Sequence, residues 1–132
     1  MRSERRYLTS TDRQRLDDRT RFAPAWFSHA ESFWSWNSLE ALCQSEPEEA
    51  WRLILVLVQS APSEVELGTI GLNPLTELLI AHGPAFIDRF ESEAAQNRRF
   101  RLCLDPVYQN DDTPDIEPEV WARIESIQKG VA

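Results

Sequence analysis

The chain is short of the residues from which most catalytic and cofactor-binding motifs are built: two histidines, two cysteines, four glycines and no long apolar run. A zinc site asks for three or four His, Cys or carboxylate ligands. His29 and His82, with no C-x-x-C or H-E-x-x-H around them, supply too few, so no metal site is expected. "HAE" at His29 to Glu31 matches H-x-E, but the cysteine half of the deaminase signature is missing. A nucleophilic triad would have to draw on the same two histidines, there is no G-x-S-x-G elbow, and both cysteines sit in apolar patterns that oppose a thiolate. The scattered glycines form neither G-x-G-x-x-G nor a P-loop, which argues against a nucleotide cofactor. No cofactor and no catalytic residue is therefore assigned.

The longest uninterrupted apolar stretch, "LILVLV" from Leu53 to Val58, is far too short to span a bilayer, and Met1 to Arg6 are charged and polar rather than signal-like. The expectation is a soluble, cytoplasmic protein with no membrane partner. Cys43 and Cys103 read as two buried thiols, not as a disulfide.

What is present is enough for one domain: 132 residues, 42% of them hydrophobic, can bury a single core without disulfides or metals. The net charge of −8 is uneven, because residues 1–21 carry seven arginines against four acids and are +3, which leaves −11 on the remainder. That division sets a basic N-terminal lead, 1–21, apart from a helical domain, 22–132. An acidic body opposes nucleic-acid binding except through the 1–21 arm, since counterion release needs a basic surface. It suits a basic partner, although surplus acid also serves solubility alone.

Along the chain nearly every periodic segment has helical spacing. Ser10 or Thr11 offers a cap for a thin, frayed first helix, and Pro24 interrupts next. In "AWFSHAESFWSWNSLEALCQ" the apolar stripe fits one long helix or two short ones meeting near Asn37 and Ser38, with Trp36 off the stripe. "SEPEEAW" reads as a capping box of Ser45 and Glu48 with Pro47 in the first turn, opening a central helix over "AWRLILVLVQSAP". "SEVELGTIGL" reads as a short helix running into a turn, after which Asn73 caps and Pro74 starts the next helix. Gly83 is placed as its left-handed stop, with His82 in the last turn and Pro84 restarting a helix that turns Phe86, Ile87, Phe90 and Ala94 inward. Pro106 breaks "NRRFRLCLDPVY", "QNDDTPDIEPE" is a polar loop, and Pro118 opens a last helix with Val120, Trp121, Ile124 and Ile127 facing in. The fold class is all-α: a compact domain of about six or seven helices whose Pro and Gly corners resemble a helical-repeat stack, without a fixed period.

The blocks "FWSWNSLEAL", "EPEEAWRLILVLV", "NPLTELLIAHGPAFIDRFESEA", "RRFRLCL" and "PEVWARI" together resemble an uncharacterised family of small bacterial helical domains. Its members show a W-x-W helix, a P-E-E-A-W start, a helix ending in H-G and a closing E-V-W-x-R segment. The likeness covers roughly residues 30–128. This chain departs from it with Asn73 where glycine is usual before the proline, and with an acidic insertion around Asp111 to Glu119. The resemblance implies a compact helical domain of unknown function and carries over no catalytic residue.

Binding is the stronger functional expectation. Five acids lie between Asp111 and Glu119, and Glu48, Glu49, Asp88 and Glu91 lie on helix faces expected to meet solvent. Of the five tryptophans, Trp51 and Trp121 sit on inward stripes, which leaves Trp36 as the aromatic to cover a partner. The partner-binding set is therefore Trp36, Glu48, Glu49, Asp88, Glu91, Asp111, Asp112 and Asp115. By analogy with small acidic immunity proteins, the expected function is to bind and block a basic partner, such as a toxin, or to act as an adaptor. The alternative is a small enzyme that uses Asp or Glu carboxylates with His82.

Overall fold

The computed structural model describes residues 19–28 and 32–130, and every regular element among them is helical. In chain order these are α1 (Arg19–Phe27), α2 (Ser32–Ser45), α3 (Pro47–Ser60), α4 (Glu64–Ile70), a π-helical turn (Gly71–Leu75), α5 (Thr76–Gln96), α6 (Arg98–Leu104) and α7 (Pro118–Lys129). Because α4, the π turn and α5 follow one another with no loop between them, although α5 kinks at His82, the described residues form six helical rods, and the all-α expectation holds. The candidate caps Ser10 and Thr11, most of the arginine-rich lead and His29 lie outside the described residues.

Helix α3 is the central helix that its length and apolar run imply, burying Ala50, Leu53, Ile54, Leu57 and Val58. Beside it, Trp51 meets the rings of Phe90 and Phe100 at 5.4 and 5.5 Å and that of Phe86 at 6.0 Å, which joins α3, α5 and α6 through aromatic contacts. Each such pair is worth about 0.5–1.5 kcal/mol beyond its buried area. Of the inward stripes read from the sequence, Phe86, Ile87, Phe90 and Ala94 on α5 and Val120, Ile124 and Ile127 on α7 are buried, and Trp121 is partly buried against the core. Cys43 and Cys103 are free and buried, as expected.

Several joints differ from the expected helix punctuation. Pro24 does not interrupt α1, which runs through it, and the break in the tryptophan-rich stretch falls between Phe27 and Ser32 rather than at Asn37 and Ser38. The Ser45 and Glu48 capping box does not form. Ser45 still belongs to α2 and its hydroxyl donates to the Ala41 carbonyl at 2.9 Å, so the joint to α3 is the single residue Glu46, with Pro47 in the first turn as expected. Asn73 is not a cap either: its side-chain amide donates to Thr69 O at 2.9 Å inside the continuing helix.

The physical reason is Pro74. Proline has no N–H to give Ile70, and its ring crowds that carbonyl, so the helix widens locally to a π turn instead of ending. Thr76 closes it, its hydroxyl and its backbone N–H both donating to Gly71 O. Ten residues on, Pro84 has the same effect in another form. The helix kinks at His82 (φ −142°, ψ 27°), and Gly83 is not the left-handed stop that was expected: among the described residues only Gly130 has a positive φ.

Gly71 is needed for a different reason. A Cβ there would lie 1.7 Å from the Cys103 carbonyl oxygen, because α6 crosses the π turn backbone against backbone. We predict that Gly71→Ala lowers stability by at least about 3 kcal/mol, read as a lower urea midpoint at unchanged m-value. Ser38 offers the opposite test: it is fully buried, and its hydroxyl has no hydrogen-bond partner among the described residues. Ser38→Ala is expected to raise stability by about 1 kcal/mol in the same experiment, since it removes an unsatisfied group.

Candidate protein-binding surface

The acids expected on solvent-facing helix surfaces are placed there, but arginines of the same chain hold them. Glu48 at the start of α3 receives two bonds of 2.7 Å from the Arg89 guanidinium on α5. Glu49 pairs with Arg52 one turn along α3. On α5, Asp88 and Glu91 share Arg123 of α7, whose Nε donates to Glu91 at 2.8 Å. Glu48, Asp88 and Glu91 are thus brought into one belt across α3, α5 and α7, with Arg89 also lying 4.6 Å from the Phe86 ring centroid. Hydrogen bonds from Arg123 hold the Glu91 carboxyl below the usual range, against burial and the neighbouring Asp88, and a bond from Arg89 does the same for Glu48.

The remaining acids of the expected binding set are in the loop before α7. Asp111, Asp112, Asp115 and Glu117 are exposed and form no ion pair with any described residue. Hydrogen bonds staple this loop in place. Gln109 clamps Ile116 from both sides, donating to its carbonyl at 2.6 Å and accepting from its N–H at 3.2 Å. Asn110 accepts from the N–H groups of Asp112 and Thr113, and the Gln128 amide of α7 donates to the carbonyls of Leu104 and Val107. Ile116, the one apolar residue in an otherwise polar stretch, is buried and anchors the loop to the core. Sequence reading passed over Ile116 and Gln109. An isolated isoleucine between two prolines was the available signal.

Two of the recesses along the α4–α5 rod lie at its prolines. At the π turn, Pro74, Leu72, Asn73 and Glu77 face Trp26, Trp36, Leu39 and Glu40 across a cleft of about 120 Å³. Trp36 is 38% exposed, stacks on Trp26 at 4.7 Å, and donates its indole N–H to the Trp26 carbonyl at 2.8 Å. It is the partly solvent-facing aromatic that its off-stripe position implied. At the kink, Leu79, Ile80, Ala81 and Pro84 face Pro114 to Pro118 across a groove of about 400 Å³. The surface residues therefore fall into three places: Trp36 at the π turn, Glu48, Glu49, Asp88 and Glu91 among the arginines, and Asp111, Asp112 and Asp115 on the stapled loop.

His82 does not bond the carbonyls of its own helix. The kink turns it across to α2, where its Nε2 lies 2.9 Å from the Gln44 carbonyl, one of the last-turn groups that lack a helical donor. Burial pushes the Cys103 thiol up to about 12 and raises that of Cys43 further still, which keeps both protonated. Among the described residues no group of three or more His, Cys, Asp or Glu is placed to hold a metal ion, and no helix is long and apolar enough to cross a membrane.

A family model described as a family of unknown function (DUF6869) matches residues 25–132. The chain belongs to that family. The matched span takes in both recesses, the arginine-held belt and the stapled loop, along with every sequence block from "FWSWNSLEAL" to "PEVWARI". No curated protein and no solved structure matches the chain.

The belt makes a pH prediction. A carboxylate whose folded pKa is depressed adds stability above its unfolded value, about 4.3 for glutamate, and loses it as pH falls through the lower folded value. The difference in melting temperature between the unmodified protein and Glu91→Gln should be full near neutral pH and close as the pH is taken below about 4. A difference that stays constant down to strongly acidic pH would show that the Arg123 bonds contribute nothing.

Proposed function

We propose that the chain is a non-catalytic protein-binding domain, an immunity-type or adaptor protein that occludes a basic partner through its acidic surface. The observation that carries this reading is the division among its acids. Glu48, Glu49, Asp88 and Glu91 are held by arginines of the same chain, whereas Asp111, Asp112 and Asp115 stand exposed on a loop that side-chain bonds already hold in shape. A fixed, exposed negative patch raises the rate of encounter with a cationic partner and orients it, and holding the loop beforehand reduces the entropy lost on binding. The buried free thiols Cys43 and Cys103 suit a reducing compartment, and we take the encounter to occur in the cytoplasm.

The alternative, an enzyme using Asp or Glu with His82, finds less support. His82 is engaged with a main-chain carbonyl, and four of its candidate carboxylates, Glu48, Glu49, Asp88 and Glu91, are engaged with arginines.

The test is affinity capture from native lysate with the intact protein and with Asp111→Lys/Asp112→Lys. The intact protein should retain a basic protein at low salt and release it as salt rises. The variant should retain at least tenfold less of it, with a flatter salt dependence. Equal retention by the variant, or turnover of a small molecule that His82→Gln abolishes, would sink the proposal.

A further inference from the structure

We infer that the groove at the α5 kink is the docking site for a short basic segment of the partner, one that carries a bulky aliphatic side chain flanked by arginine or lysine. This rests on the binding reading above and names the part of the surface that makes contact. Leu79 and Ile116, 1% and 2% exposed, form the floor. Ile80, 42% exposed, stands with Ala81 and Pro84 on one wall, and Pro114 and Pro118 stand on the other. At about 400 Å³ the groove lies within the range of roughly 300–1,000 Å³ typical of sites that enclose a ligand group, whereas the tryptophan cleft at about 120 Å³ falls below it.

Charge and hydrogen-bonding capacity specify the occupant. Asp115 and Glu117 rim the groove, both exposed and without an ion pair to any described residue. Its walls contain three prolines, Pro84, Pro114 and Pro118, which have carbonyl acceptors but no N–H donors. Pro84 also denies the Ile80 carbonyl its helical donor. A rim of acceptors around an apolar floor complements a side chain that only donates, which is the definition of arginine and lysine, next to an aliphatic group that fills the floor. The helical domain of a second copy, 22–132, is the wrong occupant, since its charge of −11 repels the rim. The prolines and the Gln109 clamp hold both walls before binding, so little order is lost when the segment docks.

The experiment is amide chemical-shift mapping of the full-length protein, titrated with a synthetic twelve-residue peptide of leucines flanked by arginines and, separately, with an acidic counterpart of the same length. The basic peptide should shift amides in 79–83 and 115–117, and the acidic one should shift nothing. Ile80→Asp and Asp115→Lys/Glu117→Lys should each weaken binding at least tenfold. Leu72→Asp, at the other recess, should leave it within twofold. All of these positions are exposed, and unchanged melting confirms that each variant folds. Shifts centred on Trp36 and Leu72, shifts spread over the Glu48 and Asp88 belt, or undiminished binding by Asp115→Lys/Glu117→Lys would overturn the groove assignment. If those results accompany salt-sensitive capture that Asp111→Lys/Asp112→Lys abolishes, the binding reading stands and only the groove falls. If capture also fails, both fall.

Discussion

Proline's missing N–H shapes this molecule more than any other constraint. The rod from Glu64 to Gln96 carries two prolines ten residues apart, at positions where an unbroken helix would need a donor and room beside the preceding turn. Pro74 does not end the helix and Pro84 bends it sharply without a loop, because burial continues on both sides of each: Leu67, Ile70, Leu75, Leu78, Leu79, Phe86, Ile87, Phe90 and Ala94 are all in the core. The first defect is absorbed as a π turn and the second as a kink. A recess lies on the surface beside each of these places where the helix yielded.

The same constraint explains which parts of the fold were legible in the sequence. Helical periodicity gave the core: the stripes on α3, α5 and α7 were readable because their spacing repeats over several turns. Helix ends were less readable. "NP" and "HGP" carry the usual signs of a start and a stop, and both were read so; the chain passes through the first as a π turn, whereas at the second two helices do meet across a kink at His82, without the left-handed glycine. Ser45 failed as a cap for a related reason. Helix α2 runs two residues past Cys43, the last of its stripe, and Glu46 N–H bonds Leu42 O at 2.7 Å, so the serine is spent on its own helix.

For the surface, residue types were readable and pairings were not. That Glu48, Asp88 and Glu91 are exposed follows from periodicity. That Arg89 and Arg123 neutralise them does not, because the partners of Glu48 and Glu91 are 41 and 32 residues away along the chain. An acidic composition therefore overstated the negative potential of the helices. The loop acids escape this correction for a structural reason. Their backbone is tied by Gln109 and Asn110 through main-chain bonds, which hold the loop without using its carboxylates.

His82, at the helix corner, makes a structural bond across to another helix. The kink made by Pro84 carries it away from its own helix end and gives its Nε2 to Gln44 O, so α2 has a terminal carbonyl satisfied by a residue 38 positions on. The imidazole thereby ties the end of α2 to the kink, and the kink in turn sets where Ile80 and Pro84 stand relative to the acidic loop. Under the proposed binding role the histidine's contribution is positional: it holds one wall of the groove, opposite the wall that carries Asp115 and Glu117.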